Sequence, residues 1–231
     1  MVNMLGARNW MKKKKGQTGN AIPADDAKER LVRAGLAIFA SYGYAGASTR
    51  MLAAEAKVNL AAIPYYFGGK EGLYHAVIRS IVRFGREQIF PEIERVSKRL
   101  ETGSASREEL LQMLERLLSN YIGLVTSDET PHIARIMFQE QLQPSKAFSI
   151  FYEELLKEEH SVVTAIVAKL LKLSPDSREA IVHAHALLGH IMIFLAGRAL
   201  ILKRLGEENF SADDAELLHS TMKKHVRGIF R

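Results

Sequence analysis

Apolar residues recur every three or four positions along almost the whole chain, and no stretch alternates with the period of a strand. That spacing confines the fold to the all-α class. Leu31, Ala34, Gly35, Ile38, Phe39 and Tyr42 mark one face of a first helix, with Asp26 and Glu29 as a capping pair and Gly43 as its stop. Ser48 caps a short second helix whose apolar positions are Leu52, Ala53 and Ala56. Lys57, Val58 and Asn59 separate it from a third, Leu60 to Phe67, which Asn59 caps and Gly68-Gly69 ends. Lys70 opens a long helix with Leu73, Val77, Ile81 and Phe84 on one side. Helical segments then follow over 70–101 (interrupted at Pro91), 106–126, 130–142, 145–172, 176–205 and 211–230. Ser174-Pro175-Asp176 and Ser211 with Asp213 and Asp214 mark the last two starts, and no internal repeat is visible.

Composition narrows the function. The 231 residues are 47% hydrophobic and 25% charged, which suits a folded domain and excludes disorder throughout. Cysteine is absent, which removes disulfide scaffolds, thiolate metal sites and cysteine nucleophiles. The most apolar run, Ala184 to Leu202, carries His185, His190 and Arg198 and reads as a buried core helix rather than a membrane span. Lys12 to Lys15 are followed by polar residues, unlike a signal peptide. The expectation is a cytoplasmic protein without membrane contact.

Catalysis and metal binding find little support. His183 and His185 point to different faces of a helix, and Glu216-Leu-Leu-His219 is a single Glu-x-x-His where a di-iron bundle needs two. There is no phosphate-cradling glycine loop or nucleophile elbow. The reading is no enzyme, no catalytic residue, no cofactor and no metal.

Charge is distributed unevenly. Residues 1–70 hold eleven basic and four acidic residues, a net +7, while the rest of the chain is at −1. A basic front on a neutral body is the footprint of a polyanion binder, or else a solubilising tail. Residues 1–23 read as a flexible basic arm, 24–70 as a compact helical head and 71–231 as a helical body. The lysines at 12–15 either follow a groove of DNA or have no partner.

Two short helices joined by a tight turn, the second one capped and small-faced at its start, form a helix-turn-helix. The second must enter a major groove about 12 Å wide, which Leu60, Ala61 and Ala62 permit. At this point the sequence resembles the TetR family of transcriptional regulators. The motifs are Phe39-Ala-Ser-Tyr-Gly-Tyr44, Ser48-Thr-Arg-Met-Leu52-Ala53, and the block from Lys57 through Tyr65-Tyr66-Phe67 to Lys70-Glu71-Gly-Leu73. Met137 to Phe148 and Ala186 to Gly206 are similar to the C-terminal domain of the CecR-like subgroup. Two departures stand out. Lys57 replaces the family's turn glycine, at roughly 1 kcal/mol if φ there is positive. Pro64 replaces an aromatic, costs about 3 kcal/mol in a regular helix, and predicts a bent or split recognition helix anchored by Ile63.

The resemblance implies a DNA-binding domain for 24–70 and an effector-binding and dimerisation domain for 71–231. It assigns Ser48, Thr49, Tyr66 and Lys70 to phosphates and Arg50 to a base edge or phosphate. Leu60, Ala61 and Ala62 would touch thymine methyls, and Tyr65 would reach the DNA directly. Tyr65 and Tyr66 are also compatible with core packing, and Lys70 with simply starting a helix. Phe39, Leu52, Val58, Ile63, Phe67 and Leu73 are the expected small core.

The resemblance further implies a homodimer on a pseudo-palindromic double-stranded operator, paired through the last two helices. Leu187, Ile191, Phe194, Arg198, Leu218, Met222 and Val226 are the candidate interface, and they suit an intramolecular core equally well. It also implies a small-molecule effector. The candidate pocket residues are Phe138, Gln141, Phe148, Phe151, Tyr152, His183 and Met192. The functional expectation is a sequence-specific DNA-binding regulator, most readily a repressor released from its operator by that effector. The alternative is a helical protein-interaction module that does not bind DNA.

Overall fold

The computed structural model describes residues 24–127 and 130–230, and within them the chain is helical without a strand. Its contacts divide it into two compact units, one ending at Val77 and one beginning at Ile78. The division falls inside the fourth helix rather than at 70/71. The expected basic arm, Arg8 and Lys12 to Lys15 included, lies outside the described residues.

The first unit contains α1 (Ala24–Gly46), α2 (Thr49–Ala56), α3 (Ala62–Phe67) and the opening turns of α4 (Lys70–Glu101). α1 starts two residues ahead of Asp26, so Asp26 does not cap it. That carboxylate instead stands 3.9 Å from Arg30, one turn on. Gly43, at φ 68°, kinks the helix where a side chain would be strained. Tyr42, expected on the buried face, is 58% exposed, because the face defined by Leu31, Ala34, Gly35 and Phe39 has rotated away by then.

Phe39, Leu52, Ile63 and Leu73 are completely buried, while Val58 and Phe67 are half-buried at the rim. Phe39 meets Tyr74 edge-on at 4.8 Å between ring centres, and Tyr44 lies 5.0 Å from Tyr74. The first turns of α4 therefore finish this core, which is why the unit extends past residue 70.

The second unit contains the rest of α4, then α5 (Arg107–Thr126), α6 (Pro131–Leu142), α7 (Phe148–Phe151), a π-helical turn (Tyr152–Leu156), α8 (Lys157–Leu171), α9 (Arg178–Ala196), α10 (Arg198–Leu205) and α11 (Ala212–Ile229). α4 runs unbroken through Pro91, contrary to the expected interruption. Ile89, Phe90 and Ile93 are buried on either side of the proline, and Glu92 beside it is held by Arg95 and, at 2.9 Å, by Arg116. Tertiary burial here outweighs the lost backbone donor.

α5 is buried on more than one face, including Leu114, Leu117 and Leu118, and packs against α8, α9 and α11. Ser106 with Glu109 and Ser211 with Asp214 form capping boxes on α5 and α11. α9 is capped by Ser177, three residues after Ser174, because Ser174 and Pro175 are used in the preceding turn. Gly197 separates α9 from α10, where one continuous helix was expected.

α9 is long and apolar enough to span a membrane by length and composition, and it is not the buried core helix that its hydropathy suggested. Only Ala180, Ala184, Leu187, Leu188 and Ile191 are buried along it. Val182, Ala186, Ile193, Ala196 and Leu200 instead form an exposed stripe at spacings of three and four, with Gly189 completing the series.

Lys57 adopts φ 53° and ψ 48°, the left-handed conformation that glycine tolerates best. Its carbonyl accepts a bond from Arg30 Nη1 at 3.2 Å, an interaction independent of its side chain. Lys57→Gly is therefore expected to stabilise the first unit by about 1 kcal/mol, read as slower amide exchange at Leu52 and Ile63.

Candidate nucleic-acid interface and internal cavity

The turn between α2 and α3 is built from local bonds. Ser48 Oγ accepts from Met51 N at 3.2 Å and caps α2. Val58 N donates to Ala53 O at 3.0 Å, closing the far end through the left-handed Lys57. Asn59 Oδ1 accepts from Ala61 N at 2.8 Å and holds the turn ahead of α3. Asn59 does not cap that helix as expected: Ala61 stands at the cap position with no side-chain bond, because the helix starts later than Leu60.

The proline neither bends nor splits α3. Ile63 N bonds Leu60 O in a tightened first turn, and Pro64 sits in that turn, where a missing N–H leaves nothing unsatisfied. The helix is shorter than expected, starting at Ala62, and Leu60 and Ala61 lie in the turn ahead of it. Gly68, at φ 71°, ends it.

Candidate DNA-contacting residues separate into exposed and engaged groups. Arg50 is exposed in the first turn of α2, with Ser48 exposed and Thr49 half-buried beside it. Leu60 and Ala61 are exposed and Ala62 half-buried. Tyr65 is 81% exposed, which excludes core packing for that ring. Tyr66 is half-buried and meets Tyr65 edge-on at 4.8 Å. Lys70 is engaged: its Nζ donates to Tyr44 O and Ala47 O, each at 2.8 Å, and lies 4.5 Å from the Tyr44 ring centre. The ammonium clasps the end of α1 next to Ser48, a role in the fold whatever it does with a phosphate.

The second unit contains a partly open cavity of about 170 Å³ between α4, α5, α6, the π turn with α8, and α9. Gln141 and Met192 line it; Phe138, Phe148, Phe151, Tyr152 and His183 do not. Helical register is the reason. On α9 the lining residues are His185, Leu188, Gly189, Ile191, Met192 and Leu195, and His183 lies two positions before the first of them and is exposed. On α6, Ile133, Ala134, Met137 and Gln141 face inward and Phe138 is one residue out of register. Phe148 and Tyr152 stack on one another with ring centres 6.4 Å apart, and Phe151 is buried elsewhere.

The candidate dimer residues are similarly turned inward. Leu187, Ile191, Leu218, Met222 and Val226 are buried within the chain, and Phe194 is half-buried. Arg198 Nη1 donates to Val125 O at 2.8 Å and the guanidinium packs over Phe210. These residues hold α9, α10 and α11 to α5.

The polar part of the cavity escaped sequence reading. Tyr121, Glu159, His160 and His185 line it. The His160 and His185 rings lie 5.8 Å apart, and burial, reinforced by His185, pushes the His160 pKa down. Burial raises Glu159 to about 7, with the Tyr121 hydroxyl partly offsetting that rise. Glu159 stands on the same helical face as Val162, Val163 and Ile166, an acid at the head of an apolar stripe, and that was the available signal. No group of three metal-ligating side chains occurs among the described residues.

An exposed, capped helix-turn-helix followed by a helical unit with an internal cavity defines a DNA-binding regulator of the one-component type. The family model for bacterial regulatory proteins of the tetR family matches residues 31–77, and that for the C-terminal domain of the HTH-type transcriptional dual regulator CecR matches residues 106–231. The chain is 35% identical over 205 residues to the HTH-type transcriptional dual regulator CecR of Shigella flexneri, covering 89% of this chain and 92% of that protein. It belongs to the TetR family of transcriptional regulators, with a C-terminal domain of the CecR type.

Two solved structures share the fold. AibR, in complex with isovaleryl coenzyme A and operator DNA, matches with a TM-score of 0.61 at 15% identity, covering 85% of this chain and 96% of that one. HlyIIR, a hemolysin II transcriptional regulator, matches with a TM-score of 0.58 at 19% identity, covering 87% and 97%.

The raised Glu159 has a consequence for stability. The native protein keeps a proton that the unfolded chain releases near pH 4.5, so stability is complete below that value and falls as pH rises through about 7. Glu159→Gln, which cannot ionise, is expected to lose this fall. By about pH 8 the variant should exceed the parent by on the order of 3 kcal/mol relative to about pH 4, measured by urea unfolding.

Proposed function

We propose that this chain is a ligand-released repressor that binds a pseudo-palindromic operator as a homodimer in the cytoplasm. The observation that carries the reading is the exposure of Arg50 and Tyr65 on a helix-turn-helix whose buried side is closed. Arg50 is suited to a guanine edge or a phosphate, and Tyr65 to the backbone or a base beyond it. Ser48, Thr49 and Tyr66 flank them as phosphate contacts, with Leu60, Ala61 and Ala62 presenting an apolar, sterically small approach to thymine methyls. The lysines at 12–15 would add affinity without sequence discrimination.

Pairing would use the stripe from Val182 to Leu200, not the residues that the periodicity first suggested. Val182, Ile193 and Leu200 are 66%, 61% and 71% exposed, and a second copy is the partner that an apolar stripe with coiled-coil spacing suits. A small molecule in the cavity would contact Ile81, Phe84, Gly85 and Ile89, which stand on α4, the helix that Lys70 opens. Its binding would thereby bias the position of α4, and coupling of about 1–3 kcal/mol to DNA affinity is the usual scale. AibR, whose structure holds both an acyl-coenzyme A and operator DNA, is a family precedent for two ligands on one such chain. No catalytic step is assigned to any residue.

Operator fragments selected from genomic DNA provide the test. Affinity is expected to fall steeply between low and moderate salt, and Arg50→Ala and Tyr65→Ala each to weaken binding about tenfold or more with the fold intact. Salt-independent binding, or full affinity in both variants, contradicts the reading. Ile193→Asp is expected to produce monomers in light scattering and to lose operator binding; a persistent dimer would place the interface elsewhere.

A further inference from the structure

The cavity has one feature that an apolar ligand alone leaves unexplained. Glu159 is 6% exposed, and no lysine or arginine among the described residues makes an ion pair with it. Structural carboxylates elsewhere in this chain are treated differently: Glu92, equally buried, is held by two arginines. Tyr121 lies beside Glu159, yet its hydroxyl, itself buried, has no hydrogen bond of sound geometry. A buried hydroxyl without a partner is destabilising unless something meets it. Of the remaining walls, Thr130, Gln141, His160 and His185 are polar and the rest are aliphatic or aromatic, with Phe84, Leu124, Ile133, Leu155 and Leu188 among them.

We propose that the effector cavity takes a hydrophobic ammonium compound, a protonated amine on a body about the size of one aromatic ring. In that complex the ammonium N–H groups donate to the Glu159 carboxylate and to the Tyr121 oxygen, and the Tyr121 O–H donates to Glu159. The Tyr121 hydroxyl, without a partner in the free protein, is then paired. The ring occupies the apolar end among Phe84, Ile133 and Leu188. A cavity of about 170 Å³ limits the ligand to roughly that size before the walls move. An anionic ligand would face Glu159 without a fixed cation to offset it. The titratable groups facing Glu159 are Tyr121 on α5, His160 on α8 and His185 on α9. With His160 held toward its neutral form by burial, the site carries a negative charge once Glu159 ionises.

This inference rests on the cavity being the effector site, and the experiment separates the two. Full-length dimer is titrated calorimetrically with three probes of one shape: phenethylamine, 2-phenylethanol and 3-phenylpropionate. The amine is expected to bind at least about tenfold tighter than the alcohol at about pH 8, with the carboxylate weakest. The preference should shrink toward about pH 6, where Glu159 is protonated and the ammonium is still charged. Glu159→Gln should bring the ratio of amine to alcohol close to unity at both pH values, and Tyr121→Phe should reduce it.

Equal binding of amine and alcohol by the parent protein overturns the charge assignment and leaves the cavity reading standing. A ratio that still climbs with pH in Glu159→Gln transfers the effect to His160 and His185 and also overturns it. Binding of none of the three probes overturns the cavity as a ligand site and this proposal with it. Should Glu159→Gln not fold, the pH series on the parent decides alone: a flat ratio is fatal.

Discussion

Residues 24 to 67 hold too few apolar side chains to close a core around Phe39, and the side chains that finish it, Leu73, Tyr74 and Val77, stand on the opening turns of α4. A domain this small is marginal by surface-to-volume alone. Sharing a helix with the following unit supplies the missing apolar area, and the Lys70 clasp on Tyr44 O and Ala47 O fixes how that helix leaves the head. Everything proposed for this protein depends on that sharing. The helix that completes the core beneath the DNA-binding turn also carries Ile81, Phe84 and Ile89, which wall the cavity.

The second unit solves a different problem. α5 buries residues on several faces and leaves α9 and α11 to cover it with one face each. α11 does so with Leu218, Met222 and Val226 inward and with Arg227 paired to Glu108 and Glu115 at the edge. α9 is apolar on both faces, so one side satisfies the chain and the other is left over as the exposed stripe. The π turn at Tyr152–Leu156 inserts an extra residue just before α8, and Leu155, Leu156, Glu159 and His160 all reach the cavity from this region. Insertions of this sort weaken local hydrogen bonding and are retained where a site needs the altered register.

Much of the fold was legible because it rests on local rules. Ser48 and Ser211 announce helix starts through short-range side-chain bonds, and Gly68 announces an end. Where local rules compete with burial, reading failed. Pro91 was expected to break α4 and does not, since buried neighbours on both sides hold the turn. Pro64 was expected to split α3 and does not, since it fell in a first turn. The pocket was harder still. Aromatic type suggested Phe148 and Phe151, whereas lining is decided by register, and register is set by which partner each helix packs against.

The residues by themselves determined the helical class and the helix-turn-helix, because periodicity, capping and turn chemistry act over a few neighbouring positions, and the motifs around that turn carried the family resemblance. Only the tertiary structure decided which of the two apolar faces of α9 is buried, that Leu187 and Met222 serve the chain's own core, and that Glu159 ends beside Tyr121 in the cavity. A helical period says that side chains share a face. It cannot say what that face will meet, since packing partners are chosen by the whole chain at once.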